Sequence, residues 1–364
     1  MWLYPSLSKC FPTRPAPFAP KRVVLILPCC IGDVVMATPV LRALRRAYPT
    51  AHLTWAVGGW ARTVIERHPD LDAILDTGAA ALPVKSWGGF WGFVGQLRAG
   101  EFDLAVSLVR SPLMSAAVAL SGIPHRAGLD SAGRGFGYTV RATIDPATER
   151  HESEIYLDVP RALGIDVSGL WASVPVQPDS QAAARAVLDG LGVKPPFLLM
   201  NPAGGSNPGM IFDAKRYPPP MFATLADALV QALDLPLVLI GASSDAPILE
   251  AVQRELSQRV PAVIGGLTLP QAAALAAEAA LYVGNDTGLT HLAAASGAKT
   301  AMLMGPTSPR RYAPYTPDSL VLWKPTPIVS GGVAAVNKDA AWDWARDGLL
   351  PQDAQSQILA WLQR

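Results

Sequence analysis

Short, almost wholly apolar runs recur along this chain, each followed by a turn of small or polar residues and then a helical pattern. Arg22–Pro28 (RVVLILP), His52–Val57 and Asp103–Leu108 do so in the first half; Phe197–Met200, Leu237–Ile240 and Leu281–Val283 do so in the second. An unbroken apolar run of this length suits a strand buried on both faces, as in a parallel sheet covered by helices. The alternation therefore predicts a doubly wound α/β fold. A length of 364 residues is too great for one ordinary core, and the rhythm restarts near the middle. Two open αβα domains are expected, 21–175 and 176–338, facing a central cleft. Residues 1–20 carry five prolines and read as a flexible arm, and 339–364 as C-terminal helices.

Composition narrows the function. The chain has 30 basic and 29 acidic residues, a net charge of +1, which argues against a nucleic-acid partner. No apolar run has the length of about 18–20 residues that a membrane span needs, and the start has no secretory pattern. Cytoplasmic residence is the expectation. The cysteines, Cys10, Cys29 and Cys30, imply neither a disulfide framework nor a zinc site. No acidic cluster has metal-ligand spacing. No strand ends in GxGxxG and no GxxxxGK[ST] is present, so neither a dinucleotide cofactor nor a P-loop is expected.

The turns after the apolar runs carry the chemistry, because ligands in such sheets bind at the carboxyl ends of strands. After Leu281–Val283 comes Gly284–Asn285–Asp286–Thr287–Gly288 and a helix from Leu289 to Ser296. The free amides and positive end of that helix favour an anion, with His291 on its first turn. An ordinary capped turn with a core histidine is the competing reading. The loop Asn201–Arg216 (NPAGGSNPGMIFDAKR) offers backbone donors at Gly204 and Gly205 and cations at Lys215 and Arg216, suited to a diphosphate leaving group. Gly241 and Ser243 are nucleoside-side candidates. Asp33 follows the first strand, and on spacing alone reads as a helix N-cap, with general base as the alternative.

Other stretches read structurally. Val34–Tyr48 is a helix beginning near Asp33, with Pro39 in an early turn. Trp87–Arg98 is a helix whose Trp87 and Trp91 are assigned to the core, an exposed membrane-facing patch being the lesser reading. Gly122–Gly137, rich in Gly and Arg, reads as an irregular exposed segment. Thr268 and Gln271 form a capping box.

Taken in order, VVLILPCCIGDVVMATPVLRALRRAYP, HESEIYLDVPRALGI, NPAGGSNPGMIFDAKRYPPPMFATLADAL, PLVLIGASSD and YVGNDTGLTHLAAASGAKTAMLMGPTSP resemble glycosyltransferase family 9, the heptosyltransferase-like enzymes of lipopolysaccharide core assembly. The resemblance covers roughly Arg22 to Pro317. It implies a GT-B fold of two Rossmann-like domains, with the donor held mainly by the second. It implies an inverting, metal-independent transfer from a nucleotide-diphosphate sugar, typically ADP-heptose, to a saccharide or lipid-linked acceptor. By motif, Asp33 matches the family's catalytic aspartate and Lys215 its phosphate-side lysine. Asp286, Thr287, Gly288 and His291 match its DTGxxH donor signature. The chain departs at Cys29–Cys30, where the family commonly has a small polar pair, and at Tyr217, where it often has Trp.

Two rival classes fit the same turns: a nucleotide-sugar epimerase of GT-B-like fold, and a non-catalytic nucleotide-sugar binding protein. The arginines of 34–48 and 122–137 would also suit peripheral association with the inner face of the cell membrane.

Overall fold

In the computed structural model, which describes residues 19–207, 210–326 and 342–364, the chain divides into two compact units between Ala172 and Ser173. The arm expected over 1–20 falls almost wholly outside the described residues.

The first unit runs β1 (Arg22–Ile26), α1 (Ile31–Ala47), β2 (His52–Val57), α2 (Arg62–Ile65), β3 (Ala73–Asp76), α3 (Trp87–Ala99), β4 (Leu104–Ser107), α4 (Pro112–Leu120), β5 (His125–Ser131), β6 (Val140–Ile144) and α5 (Glu152–Ala162). All six strands pair in parallel, in the order β3-β2-β1-β4-β5-β6. Helices α3 and α4 cover one face, where Phe90, Phe93, Val94, Leu97, Met114 and Val118 pack on Val24, Ile26 and Ala105. Helices α1 and α5 pack against each other.

Pro39 lies inside α1, where it cannot donate to the Val35 carbonyl four residues earlier. The Thr38 hydroxyl donates to that carbonyl instead, at 2.8 Å, and the helix continues through the proline to Ala47.

Two expectations are corrected here. Trp87 and Trp91 are not core: they are 78% and 43% exposed, while Phe90, Phe93, Val94 and Leu97 form the buried arc of α3. Gly122–Gly137 is not wholly irregular, since β5 lies within it. Gly128 is there because Tyr138 crosses it: an added Cβ would lie 2.4 Å from the ring. Arg126 ties the strand down by donating to the carbonyls of Gly137 (2.8 Å) and Ile123 (2.6 Å).

The second unit runs α6 (Pro178–Leu191), β7 (Leu198–Asn201), an antiparallel pair β8 (Ser206–Asn207) and β9 (Met210–Ile211), α7 (Pro219–Leu233), β10 (Leu237–Gly241), α8 (Ala246–Glu255), β11 (Ala262–Ile264), α9 (Leu269–Glu278), β12 (Leu281–Asn285), α10 (Gly288–Ala295), β13 (Thr300–Leu303), α11 (Pro309–Tyr312), β14 (Ser319–Leu322), α12 (Trp344–Asp347) and α13 (Pro351–Leu362). Its main sheet is parallel, ordered β11-β10-β7-β12-β13-β14. Side chains alternate across it, as a strand's period of two requires. Leu198, Met200, Leu237 and Leu239 meet α7, α8 and α13 on one face. Phe197, Leu199, Val238 and Ile240 meet α6, α9 and α10 on the other. Truncating Phe222 of α7, fully buried, to Ala would cost about 3–5 kcal/mol. The capping box at Thr268 and Gln271 forms. The C-terminal helices and the turn between them complete this core through Trp344, Leu349, Ala354 and Ile358.

Counting the main strands of each unit separately, both sheets read third, second, first, fourth, fifth, sixth. In this order the chain reverses direction between the first and fourth strands, and the crevice beyond their carboxyl ends is where ligands bind. Those crevices lie beyond β1/β4 and β7/β12. Among the described residues, no helix is long and apolar enough to cross a membrane.

Candidate active site

In the first unit the crevice is lined from α1, α5 and the loop after β4. Helix α1 begins two residues before Asp33, with Cys30 at the N-cap position and no side-chain cap. Asp33 is therefore not the cap. It sits in the first turn, where the positive end of the helix favours its carboxylate. Its Oδ1 accepts a hydrogen bond from the Tyr156 hydroxyl of α5 at 2.8 Å. Burial, and the charges of Asp33 and Glu152, push the Tyr156 phenol well above its ordinary value, with Arg110 opposing them. The phenol therefore stays protonated as a donor. Arg110, in the loop after β4, forms an ion pair with the buried Glu152. The sequence reading missed Tyr156, Glu152 and Arg110. Its one available signal was the four-residue spacing of Glu152 and Tyr156 on one helix face.

Cys29 and Cys30, beside this turn, are joined by a vicinal disulfide across a cis peptide. The expectation that the cysteines form no framework needs that correction only, since the bond links neighbours and staples no distant elements.

In the second unit the crevice holds a buried ion pair. Lys215 Nζ lies 2.7 Å from Asp286 Oδ2, with the two side chains 12% and 5% exposed. The Thr307 hydroxyl, beyond β13, donates to the same oxygen at 2.7 Å. His291 Nε2 lies 3.8 Å from Oδ1. Burial alone would raise the Asp286 pKa, but the Lys215 ammonium and the His291 imidazole outweigh it and hold the carboxyl well below its usual range. Asp286 and His291 thus face inward, and Asp286 fixes Lys215. Its ammonium also lies 5.8 Å from the centre of the Tyr312 ring.

Thr287 is the N-cap of α10, its hydroxyl accepting from the Thr290 amide at 3.3 Å. The next amides, of Gly288 and Leu289, have no acceptor within the helix and mark its positive end.

Gly204 and Gly205 bring the loop after β7 against this helix start. Both have positive φ, +124° and +76°. An added Cβ on Gly204 would lie 2.0 Å from Thr287 Cγ2, and on Gly205 2.5 Å from the Phe212 carbonyl oxygen. Only glycine fits either position. Arg216 is committed to this loop: its Nε donates to the Gly204 carbonyl at 2.6 Å and it pairs with Asp213 at 2.9 Å. Asn285, fully buried at the end of β12, donates to the carbonyls of Pro202 (2.8 Å) and Ala203 (3.1 Å). It also accepts from the Tyr217 amide at 3.1 Å. One amide side chain thereby holds both ends of the loop. The Trp344 indole supports the Lys215 turn by donating to the Ala214 carbonyl at 3.0 Å. Neither role was read from sequence, although a polar residue ending an apolar strand was the signal for Asn285.

Gly241 ends β10, which lies next to β7 in the sheet, and Ser243 is in the turn after it. Ser243 is exposed, and Gly241 is closed in by Leu249. The structure thus brings Gly204, Lys215, Arg216, Asp286, Thr287, Gly288 and His291 to one edge of one sheet. Asp33 stands at the corresponding edge of the other. Among the described residues, no three His, Cys, Asp or Glu side chains converge as a metal site.

Comparison with known proteins bears on the fold and the family. The chain is 25% identical over 349 residues to lipooligosaccharide heptosyltransferase 2 of Haemophilus ducreyi, covering 90% of this chain and 95% of that one. Among solved structures it matches the glycosyl transferase family 9 protein of Veillonella parvula with a TM-score of 0.80 at 22% identity, covering 96% and 99% of the two chains. It matches ADP-heptose lps heptosyltransferase II of E. coli with a TM-score of 0.71 at 22% identity, covering 94% and 98%. The likeness to these structures is one of fold: two doubly wound α/β domains, the GT-B architecture. The pattern of the family described as Glycosyltransferase family 9 (heptosyltransferase) matches residues 91–329, well over half of the chain. The chain therefore belongs to glycosyltransferase family 9.

Proposed function

We propose that this glycosyltransferase moves a heptose from ADP-heptose to a hydroxyl of a lipopolysaccharide-type saccharide, with inversion and without a metal ion or cofactor. Donor and acceptor class follow the names of its relatives. Asp33 takes the proton of the acceptor hydroxyl. That oxygen forms its bond to the anomeric carbon from the face opposite the diphosphate. The bond from the anomeric carbon to the phosphate oxygen breaks, and ADP leaves with the electron pair. The growing charge is met by Lys215 and by the Gly288 and Leu289 amides at the start of α10. Asp286 and His291 act on the donor through Lys215, and Arg216 acts through the Gly204 turn. Gly241 and Ser243 lie on the nucleoside side.

The observation that carries this reading is the Lys215–Asp286 pair, a fixed cation beside an open helix start at a ligand crevice. Asp33→Asn tests it. Turnover should fall by about 10²–10⁴-fold, with ADP-heptose binding by calorimetry little changed. Donor affinity that collapses while turnover at saturation survives would overturn the base assignment. Turnover that disappears on adding a chelator would overturn the metal-free reading.

A further inference from the structure

Six of the seven large hydrophobic side chains that stand exposed among the described residues belong to the first unit. Four of them gather at one edge. Trp60 lies in the turn after β2, Trp87 opens α3, Trp91 is one turn further on, and Leu113 is in the first turn of α4, after β4. In a parallel sheet, turns that follow strands lie at the carboxyl edge. The placement of α3 agrees. Its far end is tied to the start of β1, where Arg22 Nε donates to the Gly100 carbonyl at 2.9 Å. Its start is then about 19 Å away along the helix, at the opposite edge. Helix α4 runs alongside, with Arg98 near the end of α3 donating to the Leu120 carbonyl at the end of α4, at 2.7 Å. The aromatic cluster therefore borders the same edge as Asp33.

The chemistry of this edge is specific. Trp87 and Trp91 meet edge to face, 5.7 Å apart. An added Cβ at Gly88, Gly92 or Gly95 would meet nothing within 4 Å, so no packing requires these glycines. From Thr77 to Phe93 there is no acidic residue, while Lys85 is present. Lys85 is exposed and has no ion-pair partner among the described residues. Indole rings favour the polar–apolar boundary of a bilayer, and cations beside them favour anionic headgroups.

We propose that this edge of the first unit docks on an anionic lipid bilayer, with Trp87 and Trp91 inserted at headgroup depth and Lys85 against the headgroups. A second copy of the chain seated there would cover the edge at which Asp33 receives its acceptor. A bilayer would instead present a lipid-linked acceptor to it; that preference rests on the function proposed above.

The test uses the full chain and co-sedimentation with vesicles, with no donor present, so its outcome is independent of catalysis. Vesicles of phosphatidylglycerol and phosphatidylethanolamine are compared with vesicles of phosphatidylcholine. The chain should partition to the anionic vesicles, and Trp87→Ser with Trp91→Ser should lower the partition coefficient by about tenfold or more. Both indoles are exposed, so this variant should keep its melting temperature. Trp87→Tyr with Trp91→Tyr, which retains amphipathic rings, should restore most of the binding. Equal partitioning of the parent and the serine pair, or no partitioning of the parent, overturns the proposal. So does a parent dimer that the serine pair converts to monomer in sedimentation, which would assign the surface to a second copy.

Discussion

The Tyr156 hydroxyl donates to Asp33 Oδ1 at 2.8 Å, joining residues 123 positions apart in the sequence. A neutral phenol in this place orients the carboxylate without neutralising it. Tyr156→Phe should lower kcat by about tenfold, the worth of one hydrogen bond to a charged group, and leave the donor dissociation constant within about twofold. Steady-state kinetics and calorimetry check both halves. An unchanged kcat would remove Tyr156 from the reaction.

The Asp286 carboxyl has its pKa held well below the usual range by Lys215 and His291, against the effect of burial. A lowered folded-state pKa adds stability that is complete above the unfolded value of about 4 and is lost as pH falls below it. Urea midpoints should therefore fall from pH 5 to pH 3.5. Asp286→Asn should flatten that decline. At pH 7 it should cost about 3 kcal/mol, because it leaves Lys215 largely buried without its counter-charge. An equal acid slope in both proteins would refute the linkage.

Gly204→Ala would place a Cβ 2.0 Å from Thr287 Cγ2 at a φ of +124°. Strain and overlap together should cost about 2–4 kcal/mol and weaken donor binding. Adding Thr287→Ser removes the overlapping methyl and keeps the hydroxyl that caps α10. The double variant should recover part of the melting temperature but not all of it, since the backbone strain persists. Full recovery would mean that the left-handed backbone is harmless here.

Asn285→Ala leaves two carbonyls and one amide of the loop ends without a partner. The expected loss is about 3 kcal/mol, with a donor KM several-fold higher. Asn285→Asp should not rescue it, because a carboxylate cannot donate to Pro202 and Ala203. Donor titrations of the two variants check this, and wild-type affinity in either would refute it.

The double-domain α/β fold was legible because a doubly covered strand tolerates few polar residues, so runs such as Phe197–Met200 stand out against their turns. The Thr268–Gln271 box was legible because its bonds are local. Trp87 and Trp91 misled because glycines at 88, 89, 92 and 95 erase the contrast between the faces of α3, leaving two superimposed aromatic stripes. The strand β5 was hidden by Arg126 and Gly128, whose roles depend on Gly137 and Tyr138. Asp33 read as a cap because the true helix start, at Ile31, follows no capping side chain. The partners of the site residues, Tyr156 for Asp33 and Thr307 for Asp286, come from other elements, and no local spacing announces them.

The matching strand order of the two sheets bears on how such a chain can be re-engineered. The hydrophobic clusters described above each draw on one half alone. A splice between Ala172 and Ser173 would cut through none of them. A chimera joined there would inherit each of these apolar interiors uncut.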